Sequence, residues 1–150
     1  MIKITDFKKG FNLIEIMVVI GIIGIIVLIG VPAFRGFQLN LQLSGATRNL
    51  VSDLHYAQQL AVTEQIEHCI YLFPVEKKYQ LIQCDQIEPL KEVFLPEEIK
   101  TLTTTGFTDN KARYNPYGAV KEAGIITLEN TKDKTKTIEV KPSGFVKITN

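Results

Sequence analysis

Histidine and cysteine, on which much nucleophilic and metal chemistry depends, number only two each in this sequence. His55 and His68 have no H-x-x-x-H spacing, and Cys69 and Cys84 make no C-x-x-C. Zinc would have only Glu67, His68, Cys69 and the distant Cys84, a set that no ligand spacing supports. Phosphate loops and dinucleotide-binding glycine patterns are absent. Ser44, Ser52 and Ser143 lack the context of a nucleophile elbow. The glycines of NPYG (115–118) and PSG (142–144) read as turn formers. These gaps exclude catalysis by any familiar constellation and predict a non-enzymatic protein with no cofactor and no metal. The formal net charge is only +1, which gives no global reason for a nucleic-acid or strongly acidic partner. Internal repeats and low-complexity tracts are also missing.

Charge is absent from the whole run Ile16 to Phe34. At about 1.5 Å per residue that run crosses roughly 30 Å of hydrocarbon as a helix. Glu15 sits at its front edge, where a carboxylate carried to the bilayer centre would cost about 2.5–3.5 kcal/mol. Lys3, Lys8 and Lys9 precede the run and Arg35 alone follows it. The positive-inside rule then keeps the N-terminus cytoplasmic and exports the rest, predicting a single-pass membrane protein. Nothing like A-x-A follows the run, so a processing cut falls before the hydrophobic stretch. Gly21, Gly24, Gly30 and Pro32 make a weak section, which either kinks, melts or stays helical.

Four segments follow: a leader at 1–10, a transmembrane helix at 11–34, an amphipathic helix at 35–66 and a β domain at 67–150. Leu43, Ala46, Leu50, Leu54, Ala57 and Ala61 recur at helical steps, with Arg48, Asp53 and Gln58 between them. The two helical segments would form one helix of some fifty residues, roughly 80 Å long. After Glu67 the pattern is that of strands. His68–Phe73 and Lys78–Cys84 form a hairpin, and a short edge strand fits between the prolines at 89 and 96. TLTTTGFTD supplies a further strand. Gly124–Glu129 pairs with Lys136–Lys141, and Phe145–Ile148 closes the chain. The fold class is α+β, a long N-terminal helix packed on a small antiparallel β domain.

Folding residues 69–84 about their midpoint, Glu76–Lys77, sets Cys69 opposite Cys84, within disulfide reach in an oxidising compartment. Two unpaired small hydrophobes on strands are the alternative. Residues 45–100 carry 5 basic and 9 acidic side chains, whereas 101–150 carry 8 and 5. That dipole suits head-to-tail packing of subunits, though a solvated surface has the same composition. The lysines at 132, 134, 136, 141 and 147 read as a basic patch for a polyanion, with Tyr117 and Phe145 for stacking, or as defence of a strand edge.

KKG-FNLIEIMVVIGIIGIIVLIGVPAF resembles the class III signal of type IV pilins and type II secretion pseudopilins. Their basic leader ends in glycine, and an aromatic residue, a glutamate and a proline follow; here those are Gly10, Phe11, Glu15 and Pro32. LVSDLHYAQQLAVTEQ is similar to the helix of the GspH/FimT subgroup of minor pseudopilins, and NPYG and SGFVKI match its strand-rich end. The resemblance implies the pilin fold. It also implies prepilin peptidase cleavage between Gly10 and Phe11, with N-methylation of Phe11. Assembly with other pilins or pseudopilins at an inner-membrane platform would use Glu15 and Pro32. A FimT-like minor pilin that binds DNA through Lys141 and Lys147 is the alternative, although a single lysine stands where that subgroup's C-terminus carries arginines.

Overall fold

A computed structural model of the chain describes residues 12–149, with Pro32, Ala33 and Arg35 described as backbone only. One helix, α1, runs Leu13–Glu64. Asn12 caps it, its side-chain Oδ1 lying 3.5 Å from the Ile14 amide. The helix stops where Gln65 turns left-handed at φ 58° and its side chain donates to the Val62 carbonyl at 2.7 Å. Helical geometry persists through Gly24–Pro32, so the weak section of the sequence stays helical. Contacts divide the chain into two compact units, one ending at Phe37 and one beginning at Gln38.

In the second unit eight strands follow α1: β1 His68–Phe73, β2 Lys78–Gln83, β3 Lys91–Phe94, β4 Ile99–Thr105, β5 Lys111–Tyr114, β6 Gly124–Asn130, β7 Thr135–Val140 and β8 Val146–Thr149. They form two antiparallel sheets, ordered β3-β2-β1-β5 and β4-β6-β7-β8. Alternation along each strand sends one set of side chains inward. Ile70, Leu72, Tyr79, Leu81, Ala112 and Tyr114 come from the first sheet, and Leu102, Ile126, Leu128, Ile138, Val140 and Val146 from the second. Both sets bury against Leu43, Ala46, Leu50, Leu54, Ala57 and Ala61 of α1 in one core. The three alanines on that stripe let the sheets approach the helix closely.

The structure departs from the sequence reading at three places. KARY forms β5, which its two cations had hidden; their side chains point away from the core while Ala112 and Tyr114 fill it. The strands also divide into two sheets, and residues 119–121 stitch these together. Tyr114 bridges Val120, the Lys121 amide donates to the Arg113 carbonyl at 3.0 Å, and the Val120 amide donates to Pro142 at 2.9 Å. Finally, the β1–β2 register pairs Cys69 with Ile82, not with Cys84. The hairpin is centred nearer Val75 than Lys77, and Cys84 lies opposite Glu67, its amide donating to that carbonyl at 3.0 Å. The two cysteines are nevertheless joined by a disulfide, across a diagonal with Cα atoms 5.2 Å apart.

At the far end of β7 the turn Lys141–Gly144 closes with a 2.8 Å bond from the Gly144 amide to the Lys141 carbonyl. Gly144 has φ 82°, and a Cβ there would run into the Gly118 carbonyl oxygen. That oxygen already accepts from Gln58 Nε2 at 2.7 Å. Gln58, expected between the apolar positions, thus pins the NPYG turn to the helix.

Candidate functional site

Nineteen residues of α1, Leu13–Val31, have a mean hydropathy of 3.0, and none is buried within the molecule. Among the described residues, no neighbouring element approaches within 4 Å of where a Cβ would sit on Gly21, Gly24 or Gly30. Water is a poor solvent for such a surface, so it calls for lipid or other apolar helices. Small residues on it permit close helix–helix approach. The carboxylate of Glu15 lies in the first turn, where the helix dipole favours negative charge. Among the described residues it has no ion-pair partner. Gly10 and Phe11 lie outside the described residues, as does the side chain of Pro32.

On the second unit the polar residue that most strongly fixes the helix is Asp53. It is buried, and it accepts from the Tyr79 hydroxyl at 2.7 Å and from Lys91 Nζ at 2.6 Å. A single carboxylate thereby anchors α1 to β2 and β3. Burial, then the bond to Asp53, pushes the Tyr79 hydroxyl pKa far upward and keeps it a donor. Asp53, expected between the apolar positions, stands at i+3 from Leu50 and i−4 from Ala57. A charge on the apolar stripe is itself the signal of a buried partner. Arg113 pairs with Glu67 at 3.0 Å just beyond the end of α1.

The five lysines do not make one patch. Residues 132 and 134 lie in the β6–β7 turn and 136 near the start of β7, whereas 141 and 147 lie at its far end. Lys141 lies five residues beyond Lys136, about 17 Å along the strand, and Lys147 pairs with Glu139, three residues from Lys136 and on the opposite face of the sheet. Lys141 Nζ sits 6.0 Å over the Phe145 ring. Lys147 faces Glu139 in the β7–β8 register, which offsets its charge. Lys147 on β8, Lys91 on β3 and Lys100 on β4 place a cation on three edge strands, as edge protection requires. Tyr117 projects from its turn, 91% exposed. No group of three or more His, Cys, Asp or Glu that could hold a metal occurs among the described residues.

No protein-family model matches the chain. A fimbrial protein of Pseudomonas aeruginosa is 34% identical over 74 residues, 49% of this chain and 47% of that protein. The type IV major pilin protein PilE1 of Neisseria gonorrhoeae is 40% identical over 60 residues, 40% of this chain and 33% of its own length. The chain spans about half the length, or less, of the relatives it matches. In structure it is similar to the type IV minor pilin FimU of P. aeruginosa, with a TM-score of 0.62 at 14% identity over 76% of this chain and 92% of that one. It is also similar to EpsH, the minor pseudopilin of the Vibrio cholerae type 2 secretion system, with a TM-score of 0.59 at 8% identity over 72% and 96%. The chain is thus pilin-like in sequence over part of its length, and its architecture is the pilin fold.

Proposed function

We propose that this chain is a minor pilin or pseudopilin, a non-enzymatic subunit that starts or caps a short filament anchored in the inner membrane. The observation that carries the reading is the span Leu13–Val31, apolar and without an internal partner, with a lone carboxylate at its front edge and a pilin-fold domain behind it. Prepilin peptidase cuts between Gly10 and Phe11 and methylates Phe11. The cationic amine so formed meets Glu15 of a neighbouring subunit at the membrane face. Each charge there relieves the other of a desolvation cost, so the pair sets the register in which apolar helices bundle. The assembly platform then lifts the subunit out of the membrane, leaving the domain on the periplasmic side. The disulfide is consistent with that compartment. Its filament serves a type II secretion system or a type IV pilus.

Glu15→Leu tests the pairing. The variant should insert and mature normally but be depleted from sheared filaments, and incorporation at the wild-type level would remove the registry role. Gly10→Val should leave the chain at its unprocessed mass. DNA uptake is the competing reading, through Lys141, Phe145 and Lys147. Glu139 stands among those groups, so the reading requires salt-dependent DNA binding that Lys141→Ala and Lys147→Ala weaken.

A further inference from the structure

Asn40 and Ser44 of α1 line a cleft of about 530 Å³ together with Asp133, Lys134, Thr135 and Lys136 of the β6–β7 turn and the start of β7. An adjoining hollow shares Ser44 and Lys136 and adds Arg48. The turn is ordered by its own contacts. Buried Asn130 accepts through Oδ1 from the Lys132 and Lys134 amides, both at 3.0 Å. A turn already fixed loses little freedom when a ligand arrives.

Charge selects the class of occupant. Arg48, Lys134 and Lys136 line the two hollows against a single carboxylate, Asp133. Lys100 Nζ holds that carboxylate at 2.5 Å and also pairs with Glu129 at 3.4 Å. Glu97 and Glu98 precede β4 and line neither hollow. Glu98 meets the turn through its carbonyl, which accepts from the Thr131 amide at 3.1 Å. Arg48 and Lys134 have no carboxylate partner among the described residues. Asn40, Ser44 and Thr135 set neutral donors beside them. Cations ringed by neutral donors suit a phosphate, and the volume admits a headgroup around it.

Chain length says which phosphate. Asn40 follows Val31, the end of the apolar span, by nine residues. Even fully extended, such a tether reaches only about 30 Å. The cleft is therefore never far from the headgroups on its own side of the bilayer. We infer that it binds the phosphate of an anionic phospholipid, with Arg48 and Lys134 as the charged contacts. A headgroup that carries its own cation, such as choline, would set that cation among lysines and is disfavoured. The bound lipid holds the domain down on the leaflet. The inference rests on the membrane reading of Leu13–Val31 and holds for either filament system.

The test titrates the full-length chain in neutral detergent with dihexanoylphosphatidylglycerol, dihexanoylphosphatidylcholine and inorganic phosphate, reading the bound fraction by native mass spectrometry. The anionic lipid should bind about tenfold more tightly than either of the others. Arg48→Gln and Lys134→Gln should each weaken it about fivefold, the worth of one cation at an anionic lipid surface. Lys141→Gln, at the far end of β7, should leave it unchanged. All three positions are exposed, so each variant should keep the parent's Tm, which separates lost binding from lost folding. Inorganic phosphate binding as tightly as the lipid would overturn the inference. So would lipid affinity indifferent to Arg48 and Lys134, or tighter binding of a DNA oligonucleotide that the same variants abolish. Carbonate washing of native membranes tests the premise separately. A chain washed off removes the anchor and the lipid site together, whereas a retained chain with no lipid preference removes the site alone.

Discussion

Replacing Asp53 by leucine probes the anchor between helix and sheet. The substitution keeps the side chain close in size but strands the Tyr79 hydroxyl, which is buried and has no other acceptor among the described residues. An orphaned buried hydroxyl costs about 1–3 kcal/mol. Lys91 is half exposed, so its ion pair adds only about 0–1 kcal/mol after solvent screening. The sum, about 1–4 kcal/mol, corresponds to a fall in Tm of roughly 4–16 °C for a unit near a hundred residues, at about 4 °C per kcal/mol. Thermal unfolding of the full chain in detergent, followed by tyrosine near-ultraviolet dichroism, reads this directly. Tyr79→Phe alone should cost about 1.5 kcal/mol, a hydrogen bond to a charged acceptor. Combined with Asp53→Leu it should cost clearly less than the sum, because no hydroxyl is left stranded. An additive double variant, or an Asp53→Leu chain as stable as the parent, would refute the anchoring argument.

Removing the disulfide with Cys69→Ala and Cys84→Ala should cost about 3 kcal/mol, since it reopens a loop with a sequence separation of 15; urea unfolding with and without reductant checks it. Gly144→Val should destabilise by more than about 1 kcal/mol, because a left-handed turn and the Gly118 carbonyl both oppose a side chain, and a shifted urea midpoint would report it. In acid, stability should decline. Glu92 is held below its ordinary 4.5 by Lys78 and Gln80, Glu122 below 4.5 by Thr108, and Asp133 below 3.8 by Lys100. Each contributes fully above its unfolded value and loses that contribution as pH falls through the lowered one. A Tm that stays flat from pH 6 to pH 3 would contradict it.

Periodicity alone made the helix legible. Leu43 through Ala61 recur at helical steps and all bury, and turn chemistry at PSGF located the boundary between β7 and β8. The β5 strand escaped because its outward residues, Lys111 and Arg113, are charged and only Ala112 and Tyr114 face inward, too short an alternation to stand out. The hairpin register escaped for a different reason. Symmetry about the midpoint of the two cysteines assumed that a disulfide joins directly opposed residues, whereas a diagonal pair lies within reach just as well. The Asp53 anchor was legible in principle, since its place on the apolar stripe demands a partner, but Tyr79 and Lys91 are distant in sequence.

The stitch at Ala119–Lys121 has a mechanical consequence. Through Val120, the backbone ladder of one sheet continues into the turn that ends the other, so neither sheet can peel from the helix without breaking bonds shared with its companion. Tension entering this unit would be spread across both ladders at once, and their amides should resist solvent exchange as one block.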